Sequence, residues 1–205
     1  MMSSNQMTNP ISIGRLLRSG IKGCVVGCRL SQQNAPTFGQ MVRIPMDTQT
    51  TIFGLVYDIH IDDDGLVRQL VSTEGISDEI IEDNRRNRNV PLEMSVVFVG
   101  YEQMGRISHL LPPRPPLTLD SIQPCADADL VRFTDFGIFG YLRHLLGDPT
   151  LPAAELLAVH FREALAAHQP DGTEWSERAV NTMIALLKDD YPQLMAVLGA
   201  LSEVD

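Results

Sequence analysis

An α+β architecture, with a small N-terminal β-barrel of about six strands followed by a C-terminal helical bundle, is what this sequence predicts. Three observations point to it. The 205 residues carry 16 Lys+Arg against 26 Asp+Glu, a net charge of −10. The excess is uneven: residues 1–119 hold 11 basic and 12 acidic side chains, whereas residues 120–205 hold 5 and 14. Ten of the 15 glycines precede position 120, and most long helix-type apolar patterns follow it. Between the halves lies Pro112-Pro113-Arg114-Pro115-Pro116, which must be extended because each proline fixes φ and biases its predecessor away from the helical region. The expected division is residues 11–117 for the barrel and 118–205 for an acidic helical domain.

The strands follow in order. Gly23-Cys24-Val25-Val26-Gly27-Cys28-Arg29-Leu30 is a short apolar run bounded by glycines. Phe38-Gly39-Gln40-Met41-Val42-Arg43-Ile44 alternates, as does the run from Thr51 to Ile61. The latter sets Ile52, Gly54, Val56, Asp58 and His60 on one face. Phe53, Leu55, Tyr57, Ile59 and Ile61 take the other, which is the face expected to be buried. Asp62-Asp63-Asp64-Gly65 turns the chain and residues 66–71 return. The run from Pro91 to Tyr101 is another strand, and residues 77–88 suit a short helix or ordered loop. Five or six short strands with interior glycines fit a closed barrel, since glycine permits sharp bends at barrel corners.

The helices come next. A mostly apolar stripe through Leu130, Phe133, Phe136 and Tyr141 predicts one helix over 127–146, ending at Gly147-Asp148-Pro149. Pro152 suits the first turn of a second helix running through Leu156, Leu157, Phe161, Ala164 and Leu165. Trp175, Ala179, Met183 and Leu186 mark a third, with Val180, Ile184 and Leu187 widening its stripe. Residues 193–201 form a last helix, apolar on nearly every side. Such a helix is either central to the bundle or a contact for another chain, through Leu194, Val197, Leu198 and Leu201.

Composition bounds the function classes. Hydrophobic residues make up 44% and charged residues 20%, which is a globular balance and excludes wholesale disorder. No apolar run approaches the ~20 residues that span a bilayer. The first ten residues lack the basic and apolar regions of a leader. Three cysteines are too few and odd in number for a secreted disulfide framework. A cytoplasmic protein with no membrane partner is the expectation.

Motifs for catalysis are weak. Gly20-Ile21-Lys22-Gly23 puts a glycine where a phosphate-binding loop needs a magnesium-binding hydroxyl. There is no G-x-S-x-G elbow. Cys24 and Cys28 stand four apart and Cys125 alone, a pattern of buried thiols rather than zinc ligands. A calcium loop with Gly65 as its sixth-position glycine would begin at His60 and finish at Val71, both wrong for the role. Neither a metal nor a cofactor is expected. The one basic cluster, Arg85, Arg86 and Arg88, suits phosphates or an acidic partner surface. Its neighbours Asp78, Glu79, Glu82 and Asp83 also suit pairing with it along a helical face.

Gly23-Cys24-Val25-Val26-Gly27, the Phe38-Gly39 strand and Phe53-Gly54-Leu55-Val56-Tyr57-Asp58-Ile59 together resemble the HAS-barrel domain of HerA-type DNA translocases and ATP synthase subunits. In that family the barrel precedes a RecA-like ATPase, and several barrels crown a ring. The resemblance spans residues 11–117. No Walker motif follows it here, so it implies a part in assembly without turnover.

The function expected is therefore that of a non-catalytic interaction protein, accessory to a ring ATPase or similar complex. Its partners would be proteins, an ATPase or nuclease among them, or further copies of itself. The alternative is a DNA-processing accessory that contacts nucleic acid through Arg85, Arg86 and Arg88. The net charge opposes that contact for the chain as a whole but not for the nearly neutral first half.

Overall fold

The computed structural model describes residues 12–29, 36–61, 91–170 and 172–203, together with 65, 72, 76–79 and 82–83. The bounded elements are seven strands followed by five helices, with residues 78–79 and 82–83, between the fourth and fifth strands, also helical. The strands are β1 (Gly14–Ser19), β2 (Gly23–Arg29), β3 (Met41–Pro45), β4 (Thr50–Ile61), β5 (Pro91–Gln103), β6 (Arg106–Ser108) and β7 (Ser121–Pro124). They pair antiparallel in the order β2-β1-β7-β3-β4-β5, and β5 returns to β2, so six strands close a barrel. The short β6 extends β5 outside the ring as a hairpin. The glycine-bounded run at 23, the long alternating run and the run from Pro91 become β2, β4 and β5. Phe38 and Gly39 form the turn into β3 rather than its start. The expected return strand at 66–71 and most of residues 77–88 lie outside the described residues.

The barrel closes later in the chain than the proline segment suggests. Its last strand, β7, pairs Gly14 with Ile122 and Val42 with Pro124, beyond the expected boundary at 117. The extended proline segment is itself packed on the barrel. Pro112 and Pro116 are buried, and the Ser19 hydroxyl donates to the Pro116 carbonyl at 2.5 Å.

The second difference concerns β4. Both of its faces are buried over residues 52–56, not one. Ile52 and Val56 join Leu16, Val26, Met94 and Phe98 in the barrel interior. Phe53 and Leu55 face outward into a second core shared with the helices. A bulge explains why the pattern then shifts. Val56 pairs with Val96 but Asp58 with Ser95, so Tyr57 is an extra residue. Tyr57 accordingly packs on the helical core while Ile59 returns to the barrel core.

The helices are α1 (Asp127–Thr134), α2 (Leu142–Leu146), α3 (Ala153–Ala167), α4 (Gly172–Leu186) and α5 (Tyr191–Leu201). The single helix expected over 127–146 is broken between α1 and α2, where Gly137 and Phe139 take φ of +61° and +54°, values that a right-handed helix cannot contain. Phe133, Tyr141, Phe161 and Trp175 fill the core beneath, each nearly or fully buried, and each contributes about 1.5–3 kcal/mol by burial. Along α4, Trp175, Ala179 and Met183 point inward as the spacing predicts, whereas Leu186 and Ile184 stay exposed. The turn before β3 is shaped by this layer. Gly39 has φ +84°, and a Cβ there would stand 2.5 Å from a Val159 methyl on α3.

On α5, Asp190 caps the first turn by accepting from the Gln193 amide at 3.1 Å. Val197 is fully buried, Leu194 and Leu201 pack on the same core, and Leu198 is half-buried. That stripe is thus turned into the chain's own core, and the outward residues are Tyr191 and Met195. Among the described residues no helix is long and apolar enough to cross a membrane.

Candidate functional site

The seam between barrel and helices is organised around His109, which follows β6. It is buried, and its Nε2 lies 3.0 Å from the Phe133 carbonyl at the end of α1. A carbonyl only accepts, so Nε2 carries the proton. The imidazole sits among aromatic rings, 4.7 Å from Phe133, 5.2 Å from Tyr141 and 5.4 Å from Phe136. Its own backbone carbonyl accepts two side chains of α2, the Arg143 guanidinium and His144 Nε2, the latter at 2.8 Å. Burial, reinforced by the nearby Arg143 charge, holds both His109 and His144 below the usual imidazole range. Both are therefore neutral near pH 7.

The loop from α1 to α2 divides its side chains sharply. Phe139 and Tyr141 are buried anchors, the first with its ring 5.7 Å from Trp175. The Thr134 hydroxyl donates to the Leu130 carbonyl at 2.8 Å and accepts from His168 Nε2 at 2.8 Å, while His168 stacks on Trp175 at 4.8 Å. Against that fixed base, Phe136 is 47% and Ile138 83% exposed, and Leu110, the chain neighbour of His109, is 60% exposed. Phe136 and Ile138 are thus presented on an anchored loop rather than on a loose tip.

On the polar side of the same seam lie two cavities of about 300 and 130 Å³, which share Lys22, Val97 and Asp148 in their walls. Lys22 stands in the β1–β2 turn. The larger cavity adds Arg18, Ser19, Tyr57, Thr150 and Leu151, and the smaller adds Arg143, His144 and Gly147. Asp148 accepts from the Thr150 hydroxyl at 2.6 Å and its amide at 3.1 Å, and these bonds hold its carboxyl below the usual range. A third cavity of about 310 Å³ lies between β3 and α3, where burial raises the carboxyl of Glu163.

The residues singled out by sequence fall elsewhere. Arg85, Arg86 and Arg88 lie outside the described residues; of the α5 stripe, Val197 is in the helical core, Leu194 and Leu201 pack against it and Leu198 is half-buried. All three cysteines are free thiols; burial pushes Cys24 up to about 12 and raises Cys28 and Cys125 as well. Such thiols are inert, as their apolar setting suggests. No group of three or more potential metal-ligating side chains occurs among the described residues. Lys22 drew notice in the sequence only as a failed phosphate-loop lysine. Its meeting with Arg143 and His144, more than a hundred residues away, leaves no local signal.

No family model matches this chain, and no curated protein matches it.

Proposed function

We propose that this chain is a non-catalytic interaction and assembly protein of the cytoplasm, a HAS-like barrel without its motor, accessory to a ring ATPase or similar complex. The observation that carries the reading is the exposure of Phe136 and Ile138 on a loop whose Phe139 and Tyr141 are buried anchors, with Leu110 exposed as well. Exposed apolar side chains on a pre-ordered segment lose little entropy on docking, which favours association. The glycine-based segments that resemble the HAS barrel fall on β2, β4 and the turn into β3, which supports the same reading.

The test is light scattering on the purified chain together with affinity capture from lysate and identification of what is retained. Assembly with itself, or retention of an ATPase or nuclease, is the expected result. Ile138→Asp abolishes it while leaving the unfolding free energy from urea titration within about 0.5 kcal/mol of the parent, because the site is exposed. A strict monomer that retains neither class of partner overturns the proposal.

A further inference from the structure

We propose that the paired cavities between the β1–β2 turn and α2 bind a small organic phosphate. Lys22, Arg143 and His144 receive the phosphoryl oxygens, and the organic part lies in the larger compartment against Tyr57 and Leu151.

Charge is the first support. The two walls carry Lys22 and Arg143 against the carboxylate Asp148, with Arg18 beside them, itself 3.8 Å from Glu93. This gathering of cations occurs in a chain of net charge −10. Two of the side chains, Arg143 and His144, come from the half that holds 5 basic and 14 acidic residues. Solubility does not require such a concentration against the overall sign, whereas an anion does.

Geometry is the second. Arg143 and His144 are both fixed by the His109 carbonyl. Arg143 has five N–H donors, so the bond to that carbonyl leaves others for a planar, bidentate grip on an oxyanion. With Nε2–H of His144 committed to the carbonyl, Nδ1 is the atom left to face a ligand. In the neutral ring that atom is an acceptor, so it takes the P–O–H of a monoanionic phosphoryl group while Arg143 and Lys22 face the charged oxygens. Lys22 has an exposed side chain on a hydrogen-bonded backbone. Its carbonyl accepts from the Phe98 amide at 2.8 Å, and the turn is tied by the Gly20 amide donating to the Gly23 carbonyl at 2.8 Å.

Asp148 narrows the class. Its charge repels a second phosphoryl group but accepts from a hydroxyl or an ammonium. A monophosphate carrying such a donor therefore suits the pair better than a polyphosphate. Ser19 and Thr150 line the larger compartment together with Val97 and Leu151.

Titrating the full chain with inorganic phosphate, phenyl phosphate and phenol tests this, with affinity from calorimetry and the imidazole signals followed by NMR. Phenyl phosphate binds saturably and at least about 10-fold more tightly than inorganic phosphate, since its ring adds buried apolar area. Both phosphates shift the His144 signals, and phenol does not. Lys22→Glu, a surface change in a turn whose backbone bonds persist, removes binding without moving the urea midpoint. Absence of saturable binding by either phosphate at about 20 mM, a concentration that detects even millimolar affinity, overturns the site. Unaltered binding by Lys22→Glu overturns it equally, and equal affinity for the two phosphates overturns the role given to the larger compartment.

Discussion

His160 on α3 is fully buried, and it sets up a pH dependence that can be worked out in advance. Its Nε2 lies 3.1 Å from the Tyr141 hydroxyl, while Nδ1 has no partner. If the hydroxyl donates to Nε2, one buried polar group, Nδ1–H, is left unsatisfied. The other tautomer would leave two, the Nδ1 lone pair and the tyrosine hydrogen, so the first is favoured. Burial pushes the imidazole down to about 4, against about 6.5 in an unfolded chain. The folded state therefore binds fewer protons between these values, and stability present above pH 6.5 is lost as pH falls toward 4. Each pH unit costs up to about 1.4 kcal/mol, so about 1.4 kcal/mol is gone by pH 5.5 and about 3 kcal/mol by pH 4. His109, His144 and His168 are lowered too and add in the same direction. A variant is needed to isolate His160. Tyr141→Phe with His160→Phe removes both polar partners and keeps two aromatic rings. Urea unfolding at pH 7.5 and 5.5 should show the parent losing about 1.4 kcal/mol more than this variant. Equal losses in the two proteins would refute the assignment of the titration to His160.

Two further perturbations probe how the layers are joined. Phe133 is fully buried with its ring 4.7 Å from those of Phe53 and His109, so Phe133→Ala should cost about 3–5 kcal/mol. Because one core serves barrel and helices, far-ultraviolet dichroism and tryptophan fluorescence should report a single coincident transition, and separate transitions would contradict the shared core. Arg43 bridges β3 to Asp129 of α1 at 2.8 Å and to Gln123 of β7 at 3.1 Å, partly buried. Arg132 pairs with Glu102 at 2.7 Å in a more exposed setting. Arg43→Ala should therefore lower stability by about 1–3 kcal/mol and Arg132→Ala by less than about 1 kcal/mol in denaturant titrations.

What the sequence could and could not disclose follows from where each force acts. Alternation and bounding glycines located β2, β4 and β5, because period two and backbone freedom are local properties. The burial of β4 was half legible. Ile52 and Val56 are as apolar as Phe53 and Leu55, yet a one-sided reading has no place for a strand with a barrel inside and helices outside. The bulge at Tyr57 also breaks the alternation that such a reading relies on. The stripe through 127–146 hid a break because Phe136 and Ile138 are apolar and exposed, against the usual equation of apolar with buried. Only Gly137 hinted at it. The four-residue β7 follows a proline segment and has too little length for a pattern. The cavity walls were illegible for the plainest reason, since Lys22 and Arg143 are brought together by tertiary structure alone.

The position of β7 also sets an order of events as the chain is made. Gly14 pairs with Ile122 and Val42 with Pro124, so until the chain beyond the proline segment is made, β1 to β5 can form no more than an open sheet. During that interval the edges of β1 and β3 carry unpaired backbone groups, the condition under which strands recruit foreign strands. Closing a loop of this length is slow compared with hairpin formation. The same logic sets the minimum unit for expression: a chain ended at 117 lacks the strand that seals the ring, so the smallest piece that retains the barrel must reach at least Pro124.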